Sequence, residues 1–401
     1  MTRTRRAPWA VLASTVMAGA LLVGCSDGSG PTEAIRSPIP VTASPSPHAS
    51  ARGTVVSATP LTDLTPEVAG IVSSAARATY LSVDPVTGAE VRVTGTFLVP
   101  RGTPPTGGWP VISYAHGTTG IANGCGLSQS PDLRGYTGTL TALVSAGFAV
   151  AATDYRGLGP SGAHLYLEPL SAALDVIDAV RALRRATSTV STRWLAFGDS
   201  QGGQAVWSAA EQQSTLGTGL TLVGALATKP AANVTPVPEL AEHERLSAEQ
   251  RTIAALVAVG AARSSRGALT VAQVLPRIPP DRLAELVGCD SGARSRALSE
   301  TSAVDMAPNA DAVDRYTTEL RRQALPQRRS EVPIRVVYGL ADQLVPPEWV
   351  RSAIDDACAL GSPVSARAVP GKGHGDTLLD DTDQQWVTAR FAGQPVTGTC
   401  R

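Results

Sequence analysis

Aromatic residues make up only 4% of this 401-residue sequence, lysine occurs twice, at Lys229 and Lys372, and the formal net charge is zero. These shortages exclude whole classes of function. A nucleic-acid surface draws its affinity from an excess of basic charge, and so does a peripheral patch for an anionic membrane; a balanced chain offers neither. The other 32 cationic residues are arginines, a bias that reads as a GC-rich genome rather than as chemistry. Metal-ligand spacing is missing too. The five cysteines include no C-x-x-C pair and no cluster with histidine, so neither a metal nor another cofactor is expected.

Long apolar runs are also scarce, and the one at the N-terminus has a specific form. Arg3, Arg5 and Arg6 precede "WAVLASTVMAGALLVG", an apolar segment of signal-peptide length. It is too short, and followed by too polar a stretch, for a transmembrane helix. "LVGC" sets small residues directly before Cys25, which resembles the bacterial lipobox, where that cysteine becomes the acylated first residue of the mature chain. A plain signal peptide with an incidental cysteine is the alternative. The expectation is a lipoprotein signal peptide over residues 1–24, export to the cell envelope, and membrane attachment through lipidated Cys25.

Residues 25–60 are rich in Ser, Pro, Thr and Gly, with no apolar periodicity, and read as a disordered tether. The roughly 340 residues beyond suffice for a large core, expected as one domain with an insertion. A monomer is expected. With Cys25 set aside, Cys125, Cys289, Cys358 and Cys400 remain. An even number in an exported chain favours two disulfides with three possible pairings, against free buried thiols.

Between residues 61 and 230 the pattern alternates. Two β-rich runs flank "PVTG" as a hairpin within 78–100. "WPVISYAHG" is a short apolar run ending in a Gly-rich loop, and "FAVAATDYRGLG" repeats that plan. "PLSAALDVIDAVRALRRA" has helical apolar spacing with basic residues in its last turn. "RWLAFGDS", "QGGQAVWSAAEQ" and "LTLVGALATKP" continue as strand, helix and strand. Apolar strands alternating with helices predict a mostly parallel sheet covered on both faces. Residues 231–330 break the rhythm, being helical in character, and "VPIRVVYGLAD" resumes it in 331–401. The simplest account is an α/β core interrupted by a helical cap.

The pattern G-x-S-x-G occurs twice. Ser26 falls beside the processing site and is set aside. Ser200 stands where an apolar strand turns directly into a helix, between Gly198 and Gly202. Such a nucleophile elbow strains the serine backbone, lifts Oγ clear of the sheet, and sets backbone N–H groups beside it. In the chain order Ser, acid, His, the base must follow Ser200, which leaves His243 or His374. His243 lies in a charged helical stretch of the insertion. His374 lies in "VPGKGHGD", a Gly-rich loop after the last predicted strand, where catalytic side chains of such sheets gather. Asp342, in "YGLADQLVP", is the acid that would orient the imidazole. The oxyanion donors are expected to be the N–H of Gln201 and that of Thr118, in the loop His116-Gly117-Thr118-Thr119-Gly120. His116 shapes that loop, or is simply a hydrogen-bonded core histidine.

With these residues assembled, the chain resembles the α/β-hydrolases, and more narrowly the secretory lipase family, with its fungal lipase A enzymes and actinobacterial members. The likeness rests on "YAHGTTGIANGC", "TDYRGLGPSGAHLYL", "GDSQGGQA", "GLADQLVP" and "GKGHGD", in that order, over about residues 60 to 400. The resemblance implies an α/β-hydrolase fold with the cap at 231–330, and disulfides Cys125–Cys289 and Cys358–Cys400. It implies that "DYRGLG" is a structural loop near the site, so that Asp154 and Tyr155, with His116, Gly117 and Thr119, support the catalytic groups. The implied activity is hydrolysis of a small-molecule or lipid ester through an acyl-enzyme. The sequence departs from the family in its lipobox and in a polar, Arg-rich cap with few aromatics. A serine peptidase or acyltransferase would use the same triad, and a non-catalytic surface lipoprotein could keep the same fold.

Overall fold

The computed structural model describes residues 51–62, 64, 66–396, 398 and 400. The expected signal peptide, Cys25 and the tether up to residue 50 lie outside the described residues. Nine strands form one sheet: β1 (Val55–Pro60), β2 (Val72–Val83), β3 (Glu90–Pro100), β4 (Trp109–Ala115), β5 (Ala149–Thr153), β6 (Val190–Asp199), β7 (Thr221–Thr228), β8 (Ile334–Gly339) and β9 (Val364–Val369). Their order across the sheet is β1-β2-β3-β5-β4-β6-β7-β8-β9. β1 to β3 pair antiparallel, and β3 pairs antiparallel with β5; every pair from β5 to β9 is parallel.

Burial on both faces explains why the parallel strands read as continuous apolar runs. All five residues of β5 are buried, and Ile112 of β4 is in register with Val150 of β5 and Leu195 of β6. α1 (Pro66–Ile71) precedes β2, and α2 (Thr137–Ser145) precedes β5. α3 (Pro169–Ala186) and α4 (Gln201–Leu216) cover one face, burying Val176, Val180, Val206 and Trp207 against Val111, Ala196 and Ala225. Six helices fill the interval between β7 and β8: α5 (Val237–Glu242), α6 (Ala248–Ser264), α7 (Val271–Val274), α8 (Pro280–Val287), α9 (Ser291–Ser299) and α10 (Val313–Gln323). α11 (Pro347–Ala359) joins the α3–α4 face, while α12 (Asp381–Phe391) covers the other with Trp386 and Phe391 near Ile112, Leu195 and Leu226.

The tether expected through residue 60 ends earlier. Residues 55–60 are β1, and Arg52 makes a buried two-point ion pair with Asp178 of α3, at 3.0 and 2.8 Å. The polar composition of this stretch concealed it, because β1 is an edge strand whose side chains are mostly exposed. α6 shows why the insertion folds onto the core. Ser247 and Gln250 close a capping box at its N-terminus, and an Ala/Val face buries Ile253 through Ala262. A Cβ at Gly260 would stand 2.7 Å from the carbonyl of Tyr166, so glycine there lets the helix lie on the 154–167 loop. Among the described residues no helix is long and apolar enough to cross a membrane.

Candidate active site

Ser200 caps the N-terminus of α4 with φ 54° and ψ −114°. A non-glycine residue at such a φ carries strain of roughly 1–3 kcal/mol and persists only where its surroundings hold it. Here the holding contacts are backbone ones. Ser200 N–H donates to Thr228 O at 2.9 Å, and Ala231 N–H donates to Ser200 O at 3.1 Å. The flanking glycines are steric requirements: a Cβ at Gly198 would lie 2.4 Å from Gly202 O, and one at Gly202 only 1.8 Å from Ala115 O.

The C-terminal ends of β8 and β9 deliver two more side chains to Ser200. His374 Nε2 stands 2.9 Å from Ser200 Oγ, and His374 Nδ1 stands 2.7 Å from Asp342 Oδ2. The other carboxylate oxygen of Asp342 accepts from the N–H groups of Leu344 and Val345, each at 2.9 Å. Those bonds use up Oδ1 and leave Oδ2 for the imidazole. With the carboxylate accepting, Nδ1 carries the proton and Nε2 presents its lone pair to the serine hydroxyl. Asp342 is only 4% exposed and Ser200 9%, so these polar contacts act in a largely water-free setting.

The 116–125 loop lies against this site. Gly117 N–H donates to Tyr136 Oη at 3.1 Å, and a Cβ on Gly117 would come within 2.8 Å of the Asp199 carboxylate. Thr118 Oγ1 and Tyr166 Oη are 2.8 Å apart, and Thr119 Oγ1 donates to Cys125 O at 2.8 Å. His116 is fully buried. Its Nδ1 donates to Gly117 O at 2.6 Å, its carbonyl accepts from Tyr155 Oη at 2.9 Å, and burial pushes its pKa down. Asp154 accepts from Ser128 N–H at 2.8 Å and from the hydroxyls of Ser128 and Thr94. It therefore organises the 126–129 turn, while Tyr155, at φ 62°, braces the loop directly.

The insertion clamps this loop from above. Cys125 is disulfide-bonded to Cys289, and Ile121 N–H donates to Val287 O at 2.8 Å. Arg263 of α6 donates to the carbonyls of Ile121 and His164, at 2.9 and 3.1 Å, and Arg294 of α9 donates to those of Thr119 and Gly288. The second disulfide, Cys358–Cys400, ties the C-terminus to α11. His243 lies away from this cluster, half-exposed at the end of α5.

Two supporting residues escaped the sequence reading. His164 is buried, with Nε2 2.8 Å from Gln201 Nε2, and Lys229 Nζ donates to His374 O at 2.7 Å. Both contacts join residues far apart in the chain, and no local spacing signals either. Among the described residues no group of histidines, cysteines and carboxylates is arranged to hold a metal ion.

A mostly parallel sheet with Ser200 at the turn after β6, Asp342 after β8 and His374 after β9 is the layout of the α/β-hydrolase fold. Solved structures agree. The fold is similar to Candida antarctica lipase A in its closed state, with TM-score 0.70 and 12% identity over 88% of this chain and 86% of that one. It is similar to the rice cell wall degrading esterase LipA from Xanthomonas oryzae, with TM-score 0.65 and 21% identity over 85% and 95%. A Legionella pneumophila protein matches with TM-score 0.62 and 15% identity, over 80% and 91%. No curated protein matches the chain in sequence. Residues 136–267 match the sequence profile of the secretory lipase family. That match and the fold support a hydrolase of the lipase and esterase kind.

Proposed function

We propose that the protein is an exported serine carboxylic-ester hydrolase, anchored to the cell envelope through Cys25, with Ser200, His374 and Asp342 as its triad and residues 231–330 as its cap. The observation that carries the reading is the unbroken line from Asp342 Oδ2 through both nitrogens of His374 to Ser200 Oγ, at 2.7 and 2.9 Å. In this reading His374 Nε2 takes the hydroxyl proton as Ser200 Oγ attacks the ester carbonyl. Asp342 stabilises the imidazolium that forms, and the N–H groups of Gln201 and Thr118 receive the oxyanion. Collapse expels the alcohol, which takes its proton from Nε2. Water, deprotonated by the same nitrogen, then releases the acid and restores Ser200. The Arg3–Gly24 leader pattern and the lipobox support export and anchoring.

The nearly covered serine and the Arg-rich cap favour small or polar esters over long-chain acylglycerols. The test is fluorophosphonate labelling combined with a p-nitrophenyl ester series from acetate to palmitate, on wild type and Ser200→Ala. Wild type should label at Ser200 and turn over fastest at short chains, and the variant should lose on the order of a million-fold in kcat. No label on Ser200 would overturn the catalytic reading; an optimum at palmitate would overturn the substrate range.

A further inference from the structure

Behind the oxyanion side of Ser200 runs a line of buried hydrogen bonds that the triad does not use. It starts at Asp175 on α3, whose carboxylate accepts from the backbone N–H of Arg156 at 2.8 Å and from its guanidinium at 2.8 and 3.2 Å. Arg156 is thereby held by both backbone and side chain. Its carbonyl faces His164 Nδ1 at 2.9 Å, and His164 Nε2 faces Gln201 Nε2 at 2.8 Å. All of these residues are buried, Gln201 at 2% and His164 at 4% exposure.

The chemistry of the partners fixes every proton on this line. A carbonyl can only accept, so Nδ1 of His164 carries the hydrogen. Burial keeps the ring neutral, pushing its pKa down to about 3. Nε2 is then a bare lone pair, and the amide NH2 of Gln201 donates to it. The loop is shaped to bring the ring there. Gly157 has φ 77°, and a Cβ on it would collide with His164 N at 2.2 Å. The rings of Tyr155 and Tyr166 lie 5.8 and 6.1 Å from the imidazole, and Arg263 binds the His164 carbonyl.

We propose that His164 is a positioning residue for the oxyanion hole: by accepting from the side chain of Gln201 it fixes residue 201, and so aims the Gln201 N–H at the developing oxyanion. The inference rests on the reading of Gln201 N–H as an oxyanion donor. Gln201 is the first residue of α4 and directly follows the strained Ser200. A side chain anchored on a separate loop resists rotation of that first turn. Oxyanion stabilisation depends steeply on donor placement, and a misplacement near 1 Å can cost about 100-fold in rate.

The experiment uses His164→Asn, His164→Gln and Gln201→Met. In His164→Asn the amide can still donate to Arg156 O but no acceptor reaches Gln201. In His164→Gln the longer side chain sets an amide oxygen near the former Nε2. For each protein kcat and KM for p-nitrophenyl acetate are measured per fluorophosphonate-labelled site. The rate ratio between an oxoester and its thionoester is measured as well; sulfur is poorly served by an oxyanion pocket, so this ratio reads the pocket itself. His164→Asn should lose about 10- to 100-fold in kcat with KM changed less than about twofold, and its oxo-to-thiono preference should collapse. His164→Gln should recover most of both.

Wild type that labels but shows no oxoester preference would remove the oxyanion reading on which the inference rests. Wild type with that preference, retained together with kcat in His164→Asn, would overturn the inference alone. Equal losses in His164→Gln and His164→Asn would overturn it too, since the acceptor would then not matter. Should His164→Asn fail to fold, Gln201→Met reads the same contact from the other side. It should show the same loss, and an unchanged kcat and preference there would overturn the proposal.

Discussion

Lys229 Nζ donates to two backbone carbonyls of the histidine loop, His374 O at 2.7 Å and Asp376 O at 3.4 Å. The second of the chain's two lysines, Lys372, pairs with the Asp376 carboxylate at 3.4 Å, which also accepts from Gly373 N–H at 2.8 Å. In a chain that otherwise uses arginine, both lysines converge on one loop. Lys229 presents its donors to both carbonyls from one compact ammonium, a geometry that a planar guanidinium fork does not reproduce.

Lys229→Met should therefore free the His374 carbonyl and let the imidazole drift from Ser200. The expected result is a loss of about tenfold in kcat with little change in KM, and Lys229→Arg should restore only part of it. Steady-state kinetics on a short ester check this. Full activity in Lys229→Met would show that Asp376 and the glycines hold the loop unaided.

Asp342→Asn isolates the role of the acid. The asparagine oxygen can keep the bonds from Leu344 and Val345, which turns the amide NH2 toward His374. The imidazole must then accept at Nδ1 and carry its proton on Nε2, the wrong tautomer for taking a proton from Ser200. The loss in kcat should be about 10,000-fold, with an unchanged circular dichroism spectrum. Pre-steady-state measurement of the acylation burst is the direct readout, and a loss below tenfold would contradict the assignment of Asp342.

Glu211 makes stability depend on pH between about 4.5 and 8. Burial pushes its carboxyl up to about 8, with the Gln327 N–H, donating to Oε2 at 2.9 Å, working against that rise. In the unfolded chain the group ionises near pH 4.5, while the folded protein holds its proton until about pH 8. The folded state is therefore fully favoured below 4.5 and loses stability as pH rises from 4.5 through 8. Proton affinity is worth about 1.4 kcal/mol per tenfold, so the total is a few kcal/mol. Glu211→Gln can accept the same N–H without ionising. Urea midpoints measured from pH 5 to 9 should fall for wild type and stay flat for this group's contribution in the variant. Parallel slopes would refute it.

The Cys125–Cys289 bond holds the 116–125 loop to the segment between α8 and α9. Replacing both with serine should cost about 2–5 kcal/mol in stability, and kcat should drop as well, since Thr118 is tied to the same loop through Thr119 and Cys125 O. The Cys358–Cys400 pair lies by the C-terminus, so its removal should lower stability and spare kcat. Comparing melting temperatures with kcat in the two double variants separates the effects. Equal kcat losses in both would argue against a special role for the first bond.

The elements around Ser200, Asp342 and His374 were legible because each lies at the end of a strand with a strong local signature. "RWLAFGDS" and "VVYGLAD" are apolar runs that a two-sided parallel sheet requires, and the glycines beside Ser200 mark a turn with no room for Cβ atoms. β1 was not legible. An edge strand with exposed side chains has a composition close to that of a linker, and only its pairing with β2 and the Arg52–Asp178 contact distinguish it. His164 offered no signal as a partner of Gln201, because thirty-seven residues and a helix separate them. Lys229 was conspicuous only by rarity.

The sequence by itself determined the alternation of strands and helices in the core beyond β1, the elbow at Ser200 and the candidate acid and base, since all follow from local periodicity, glycine placement and chain order. Tertiary structure realises the cysteine pairing that the family resemblance implied, and it alone decided that Asp342 turns one oxygen to backbone amides and the other to His374, and that His164 and Lys229 reach in from elements remote in the chain. Local preferences are set by a residue's immediate neighbours. Hydrogen-bond partners across a core are chosen only when packing brings buried polar groups together and each must find its counterpart.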